Sequence, residues 1–180
     1  NNGPNIIQYA GYTKLSSITI RNRTIGINEW DVSQYDKTAT TAYLHGAAMM
    51  VKREVIEKVG LMPECYFLYY EEMDWSTQIR NAGFDLVYEP RTRVYHNESS
   101  STGKESPLKI YYMTRNRLLY AWRNRVGHKR IISIVYLLLI AANKNIVKFA
   151  LSMRFNLLNA TLRGCIDFFK LQMRKTEVYD

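Results

Sequence analysis

From Pro107 to its carboxy end the sequence carries helix periodicity and nothing else, and this change of pattern divides what the chain can build. Ile110, Met113, Leu118, Ala121 and Trp122 give an approximate apolar face to a first helix that also bears Arg115, Arg117 and Arg123. The next apolar run, IISIVYLLLIAA, is 12 residues long before NKN interrupts it. That is short of the roughly 20 residues needed to cross a hydrocarbon core. Extending it to Met153 would place Asn143, Lys144, Asn145 and Lys148 inside the span, so packed or interfacial helices are expected rather than a transmembrane segment.

Upstream of Pro107 the pattern is mixed, and the expected class is α/β. Residues 1–17 read as loop or a ragged edge, SITIRNRTIGI alternates as a strand or hairpin does, and residues 28–43 read as a long surface loop of the kind that shapes a ligand site. In LHGAAMMVKREVIEKVG the small, apolar first half fits a buried strand. KREVIEKVG fits a short helix ended by Gly60 in the left-handed cap position. Trp75, Ile79 and Ala82 recur at four and three residues, which predicts a helix from Glu71 to Ala82 that turns Asp74 and Gln78 elsewhere and stops at Gly83. In FDLVYEP, alternation of Phe84, Leu86 and Tyr88 predicts a short strand ended by Pro90, and TRVYH another extended segment ending at His96. The expected division is residues 1–106 and residues 107–180.

At 180 residues and 47% hydrophobic content the chain can bury a sizeable core. Its formal charge of +9 is uneven, with the whole excess in residues 108–180 among Leu, Ile, Phe and Tyr. That mixture favours an anionic membrane surface over nucleic acid. Cys65 and Cys165 are too far apart in sequence for a metal or redox motif, so free thiols in a reducing compartment are expected. The opening NNGPNIIQYAGYTKLSS has no basic region followed by an apolar run, as a signal peptide would, and reads like the middle of a longer protein.

Chemistry has to come from the acids and histidines. YFLYYEEMDW sets Glu71, Glu72 and Asp74 among aromatic residues, and burying a lone carboxylate is costly. Acids at a helix start are one answer, since they sit well against the helix dipole; a catalytic cleft is the other. Neighbours on a helix point about 100° apart, so Glu71 and Glu72 cannot face one atom, whereas Glu71 and Asp74 can share a face. His45 and His96 could each ligate a divalent ion, donate to phosphate or serve structure alone. The sequence has no HExxH, glycine-rich phosphate loop or nucleophile elbow.

The order of segments adds what composition does not. HGAAMMVKREVIEKVGLMPECYFLYYEEMDWSTQIRNAGFDLVYEPRTRVYH resembles the acceptor-side half of inverting family 2 glycosyltransferases with a GT-A fold, especially rhamnosyltransferase-like members that build bacterial surface polysaccharides. The shared order is a glycine and apolar strand, a short helix, VG, an aromatic run, an acidic box, Arg-x-x-Gly, a strand ending at proline, and a histidine. The likeness continues more loosely through YYMTRNRLLYAWRN.

The resemblance implies that the acidic box falls on Glu71, Glu72 and Asp74, with Glu72 as general base on the acceptor hydroxyl. Glu stands where the family usually has Asp, which moves the oxygen outward by roughly one bond of 1.5 Å. It implies further that Gly46 lets substrate approach, that His45, Trp75 and Arg80 contact substrate, and that His96 completes a metal site or meets the diphosphate. A divalent metal, Mn or Mg, is expected, with a nucleotide-diphosphate sugar donor and a glycan or lipid-linked glycan acceptor. The nucleotide-binding half is missing, since DVSQYD, the nearest acidic pairing, has the wrong spacing for the family's metal motif. Residues 1–180 alone are therefore expected to be inactive, and the intact enzyme to sit at the inner face of the bacterial cytoplasmic membrane, with a second copy of the chain as a further partner for the basic helices. The alternatives are a non-catalytic membrane-associated or interaction module, and a nucleic-acid-binding domain supported by charge alone.

Overall fold

The structure, a computed structural model, describes residues 6–96 and 105–176, with side-chain surroundings as far as Gln172. The NNGP opening and the NESSSTG stretch lie outside the described residues. About half the chain is helical, with a sheet of two short strands among the described residues. The chain forms two compact units, residues 1–16, 21–65 and 71–98 in the first and residues 17–20, 66–70 and 99–180 in the second.

In the first unit residues 6–16 run antiparallel to residues 21–30. The N–H groups of Ile7, Ala10, Thr13 and Ser16 donate to the carbonyls of Glu29, Ile25, Arg23 and Arg21 at 2.8–3.0 Å. The hairpin expected within SITIRNRTIGI is therefore present but displaced, with its first leg in the stretch expected to be loop. It stays irregular because Gly26 holds φ +76°, and a Cβ there would come within 3.0 Å of both Ile7 and Tyr35.

Strand β1, Ala39–Thr40, pairs antiparallel with β2, Val87–Tyr88. The Thr41 N–H extends the ladder to the Leu86 carbonyl at 2.9 Å. Alternation in FDLVYEP is real, since Leu86 is buried between exposed Asp85 and Val87, but the ladder is shorter than expected, and TRVYH carries no ladder.

Helix α1, Arg53–Val59, ends where Gly60 N–H meets the Ile56 carbonyl at 2.8 Å. Gly60 has the positive φ expected of it, +87°, but an extended ψ of −174° in place of a left-handed helical one. Helix α2, Glu71–Asn81, stops at Gly83, whose φ is +91°. Trp75 and Ile79 from α2 pack with Tyr43, Val55 and Leu86 as the core of this unit.

One expectation fails here. No strand forms in LHGAAMM: residues 46–48 turn, Ala48 N–H donates to the His45 carbonyl at 3.2 Å, and Met50 is 96% exposed. Small apolar residues permit this reversal as readily as a strand, and Leu44 and Met49 are the ones packed against the core. Asp74, off the apolar stripe, is nonetheless inside the unit. It is 1% exposed and accepts from Gln78 Nε2 at 2.8 Å, because α2 buries Ser76 as well as the Trp75–Ile79 stripe.

In the second unit α3, Pro107–Asn124, starts with Ser106 Oγ accepting the Lys109 N–H at 3.2 Å and with Pro107 in its first turn, where no N–H is needed. Its buried face differs from the expected one. Met113 and Trp122 are exposed, while Arg115 and Asn116 are buried with Leu118, Leu119, Tyr120 and Ala121. The polar pair is admitted because loop carbonyls satisfy it: Asn116 Nδ2 donates to those of Tyr66, Leu68 and Tyr69 at 3.0, 2.6 and 2.9 Å, and Arg115 Nη2 donates to that of Tyr66 at 2.7 Å.

The apolar run is not interrupted by NKN. Helix α4, Gly127–Tyr136, passes through a π-helical segment, Leu137–Ala142, into α5, Asn143–Leu151. Asn143 Nδ2 donates back to the carbonyls of Leu138 and Leu139 at 3.2 and 2.9 Å, so a polar side chain is accommodated at the wide turn. The result is one helix of 25 residues, long and apolar enough to cross a membrane by length and composition, and mostly unburied. Helix α6, Phe155–Thr176, packs on α3 and α5. At Gly164 a Cβ would meet the Tyr111 carbonyl oxygen at 2.9 Å and Thr114 Cβ at 3.0 Å, so this glycine sets how near α3 and α6 approach.

Candidate active site

All three acids of the box fall in the first turn of α2, where unpaired N–H groups and the helix dipole favour negative charge. The helix is fixed from several sides. The fully buried Ser76 Oγ accepts the Leu44 N–H at 2.9 Å, Arg80 Nη1 donates to the Ala42 carbonyl at 3.3 Å, and Trp75 Nε1 donates to the Gly60 carbonyl at 3.0 Å. Two residues expected at substrate, Trp75 and Arg80, are thus placed as anchors of α2. Trp75 lies in the core with its one polar group satisfied.

The acids separate by environment. Asp74 is buried and paired with Gln78. Glu71 is partly buried, its carboxyl is pushed up by desolvation, and its Oε2 is buried with no hydrogen-bond partner. Glu72 is pushed furthest, to about 7, first by desolvation and then by the neighbouring Glu71 charge, against a smaller lowering by its own backbone N–H. A carboxyl near 7 is half ionised at neutral pH, the condition in which a base is both available and strong enough to take a hydroxyl proton.

Gly46 is brought to this carboxyl. A Cβ built on Gly46 would lie 3.8 Å from Glu72 Cδ, with no other atom nearer. The preceding His45 accepts the Ala47 N–H on Nδ1 at 3.1 Å, and its ring lies 6.0 Å, edge to face, from that of His96. His96 is exposed, and its carbonyl accepts from Gln8 Nε2 at 2.9 Å. The sequence-predicted Gly46 and Glu72 are therefore adjacent, and His45 and His96 are adjacent.

Other members of this neighbourhood escaped the sequence reading. Tyr9 and Tyr12 pack on His45 at 4.9 and 6.0 Å, and Tyr12 stacks on Tyr43 at 4.0 Å. Both tyrosines come from the stretch read as loop, more than 30 residues away, and no local pattern points to them. Asp31 and Asp36 of DVSQYD are paired with Arg93, at 3.0 and 3.6 Å.

The described residues do not by themselves assemble a metal centre. Among the described residues no three His, Cys, Asp or Glu side chains gather, and the Nδ1 of His45 is already engaged. His96 can offer one ligand, which is fewer than a divalent ion requires. Cys65 and Cys165 are free thiols.

No protein-family model matches the chain, and no solved structure matches it. Curated proteins do. The chain is 35% identical over 63 residues to an N-acetylglucosaminyl-diphospho-decaprenol L-rhamnosyltransferase of Mycobacterium tuberculosis, covering 35% of the chain and 20% of that protein. It is 30% identical over 95 residues to a low-salt glycan biosynthesis hexosyltransferase of Haloferax volcanii, covering 52% and 30%. Identity is 30% over 114 residues to a dTDP-rhamnosyl transferase of Shigella flexneri, covering 56% and 38%. The chain thus spans between a fifth and two fifths of the length of these relatives. The expected resemblance is therefore found, over these stretches, to rhamnosyltransferases and to another glycosyltransferase.

Proposed function

We propose that this chain, a relative of rhamnosyltransferases and other sugar transferases over part of their length, supplies the acceptor side and the general base of a GT-A sugar-transfer enzyme. Glu72 takes the proton of an acceptor hydroxyl as that oxygen attacks the anomeric carbon of a nucleotide-diphosphate sugar. The new glycosidic bond forms as the bond to the diphosphate breaks, and the anomeric configuration inverts. The observation that carries this reading is a carboxyl raised to about 7 beside a glycine that leaves its approach open. The acceptor is a growing, lipid-linked glycan of the bacterial surface, and residues 1–180 alone do not turn over.

Glu71 supports a second reading, because its buried Oε2 lacks a partner and a substrate hydroxyl would supply one. A divalent ion, Mn or Mg, belongs to the proposal for the whole enzyme, with His96 as a ligand from this chain; no step is routed through it. An interaction module with no catalysis would not need the raised Glu72 and the open Gly46 side by side.

The second unit suits the cytoplasmic face of an anionic membrane, where such an acceptor resides. Ile131, Val135, Leu139, Val147 and Leu151 form an exposed apolar stripe at intervals of four or eight residues, with Lys129, Lys144 and Lys148 on the same continuous helix. A second copy of the chain is the competing occupant of that stripe.

The test uses the full-length protein. Glu72→Gln keeps the shape and removes the base, so transfer falls at least a hundredfold while nucleotide-sugar binding is retained. Transfer within threefold of the parent overturns the assignment, and a loss confined to Glu71→Gln moves the base to Glu71.

A further inference from the structure

Helices α3 and α6, both in the second unit, leave a groove of about 540 Å³ between them that sugar transfer does not use. Its walls include Leu108, Tyr111 and Tyr112 from α3 and Asn156, Asn159 and Arg163 from α6. Among the described residues the side chains of Asn159 and Arg163 make no hydrogen bond or ion pair. Asn156 Oδ1 accepts the Leu157 N–H at 2.9 Å, which leaves its own N–H groups to offer. The groove therefore presents a guanidinium and carboxamide donors.

Acid is scarce around it. Helix α3 has no Asp or Glu and α6 has one, Asp167. That carboxylate is spent on Tyr111 Oη at 3.0 Å and Lys170 Nζ at 3.3 Å, in a smaller cavity of about 280 Å³ that shares Tyr111 with the groove. A groove with donors, a cation and no carboxylate of its own suits a phosphate.

Farther round α6 the chemistry changes. Phe155, Leu162, Ile166 and Phe169 recur at intervals of seven, four and three residues and are 40–62% exposed. At 3.6 residues per turn this stripe faces about 100° away from Asn156, Asn159 and Arg163. A soluble phosphate would leave the stripe in water, whereas a phosphate carrying hydrocarbon chains meets both faces at once.

We propose that the α3–α6 groove binds the headgroup of an anionic phospholipid, with the phosphate on Asn156, Asn159 and Arg163 and the acyl chains along Phe155, Leu162, Ile166 and Phe169. This is recognition of one lipid molecule, beyond the attraction of the α4–α5 helix to a charged surface, and it stands whether or not Glu72 is the base.

The test titrates isotope-labelled full-length protein with dihexanoyl phosphatidylglycerol below its micellar concentration, read by the side-chain amide signals of Asn156 and Asn159. Glycerol phosphate, which lacks the chains, and dihexanoylglycerol, which lacks the phosphate, are the comparison probes. Both Asn signals shift with the phospholipid, and Kd rises at least about tenfold in Arg163→Gln, which loses a charged hydrogen bond. Kd rises by about the same factor in Leu162→Ser combined with Ile166→Ser, which loses apolar contact. If that pair does not fold, Phe155→Ser, at the 62% exposed end of the stripe, is read by the same criterion. Unmoved Asn signals in the parent, or an unchanged Kd in Arg163→Gln, overturn the site. Equal affinity for glycerol phosphate makes the ligand a soluble phosphate, and equal affinity for dihexanoylglycerol makes it apolar contact alone; either overturns the proposal. A parent dimer that Leu162→Ser with Ile166→Ser converts to monomer, with phospholipid affinity unchanged, assigns the stripe to a second copy and overturns it as well. The titration involves no sugar transfer, so failure of the Glu72 reading leaves its result standing.

Discussion

Gly46 lies against Glu72, with 3.8 Å between the place a Cβ would take and the Glu72 Cδ. That is ordinary van der Waals contact, and Gly46 does not hold a positive φ, so Gly46→Ala fits the folded chain. The added methyl occupies the approach to the carboxyl all the same. Gly46→Ala is expected to leave the thermal midpoint within about 2 °C and to lower kcat/KM for acceptor about tenfold, a loss of roughly 1.4 kcal/mol in transition-state binding. Thermal melts and acceptor titrations on one preparation check both halves.

Glu72 makes stability fall with rising pH. The folded state holds its proton up to about 7, whereas an unfolded glutamate releases it near 4.5. Between those values the folded state binds more protons, so raising pH through that window removes stability. Glu72→Gln carries no such penalty. It is expected to be more stable than the parent at pH 8, by on the order of 1–3 kcal/mol, and equal to it at pH 4. Urea unfolding at the two pH values measures the difference.

Gly164→Ala opposes helix propensity to packing. Propensity alone predicts a gain of about 1 kcal/mol in the middle of α6. The methyl would instead sit 2.9 Å from the Tyr111 carbonyl oxygen, a backbone atom of α3 that cannot rotate away, and overpacking of this kind costs about 1–3 kcal/mol. The denaturation midpoint is expected to fall, and a rise would show that α3 and α6 separate easily.

Sequence pattern reached the elements whose local signals and packing agree. Trp75 and Ile79 with Gly83 specify α2, and Gly60 ends α1, because periodicity and a backbone constraint mark the same positions. It failed where one side-chain property serves two structures. Alanine and glycine in HGAA serve a turn as well as a strand, and Asn143 caps a π-helical turn instead of ending the helix. One apolar stripe leaves the surroundings of Asp74 open, and α2 proves to be buried there too. Of the site, Gly46 and Glu72 were each marked by the resemblance, but that they lie side by side is seen only in the fold. Tyr9 and Tyr12 around His45, and Asn116 beneath the aromatic loop, depend on contacts across roughly 30 to 50 residues and leave no local trace.

Lipid binding should depend on charge. Lys129 and Lys144 are exposed at the ends of the apolar run IISIVYLLLIAA, and each basic side chain near an anionic surface contributes about 1 kcal/mol. Removing both charges is expected to weaken partition of the full-length protein to anionic vesicles about thirtyfold at low salt, with little effect on neutral ones. Equal recovery on neutral and anionic vesicles in a co-sedimentation assay would contradict the electrostatic part of the proposal.

The most direct measurement is the pH dependence of kcat/KM for sugar transfer by the full-length protein. Because the reactive form of Glu72 is ionised and its carboxyl sits at about 7, the rate is expected to rise about tenfold per pH unit below 7 and to level above it. In Glu72→Gln the residual rate should lose that limb. A limb near 4.5 in the parent, or one near 7 that survives in Glu72→Gln, would contradict Glu72 as the base.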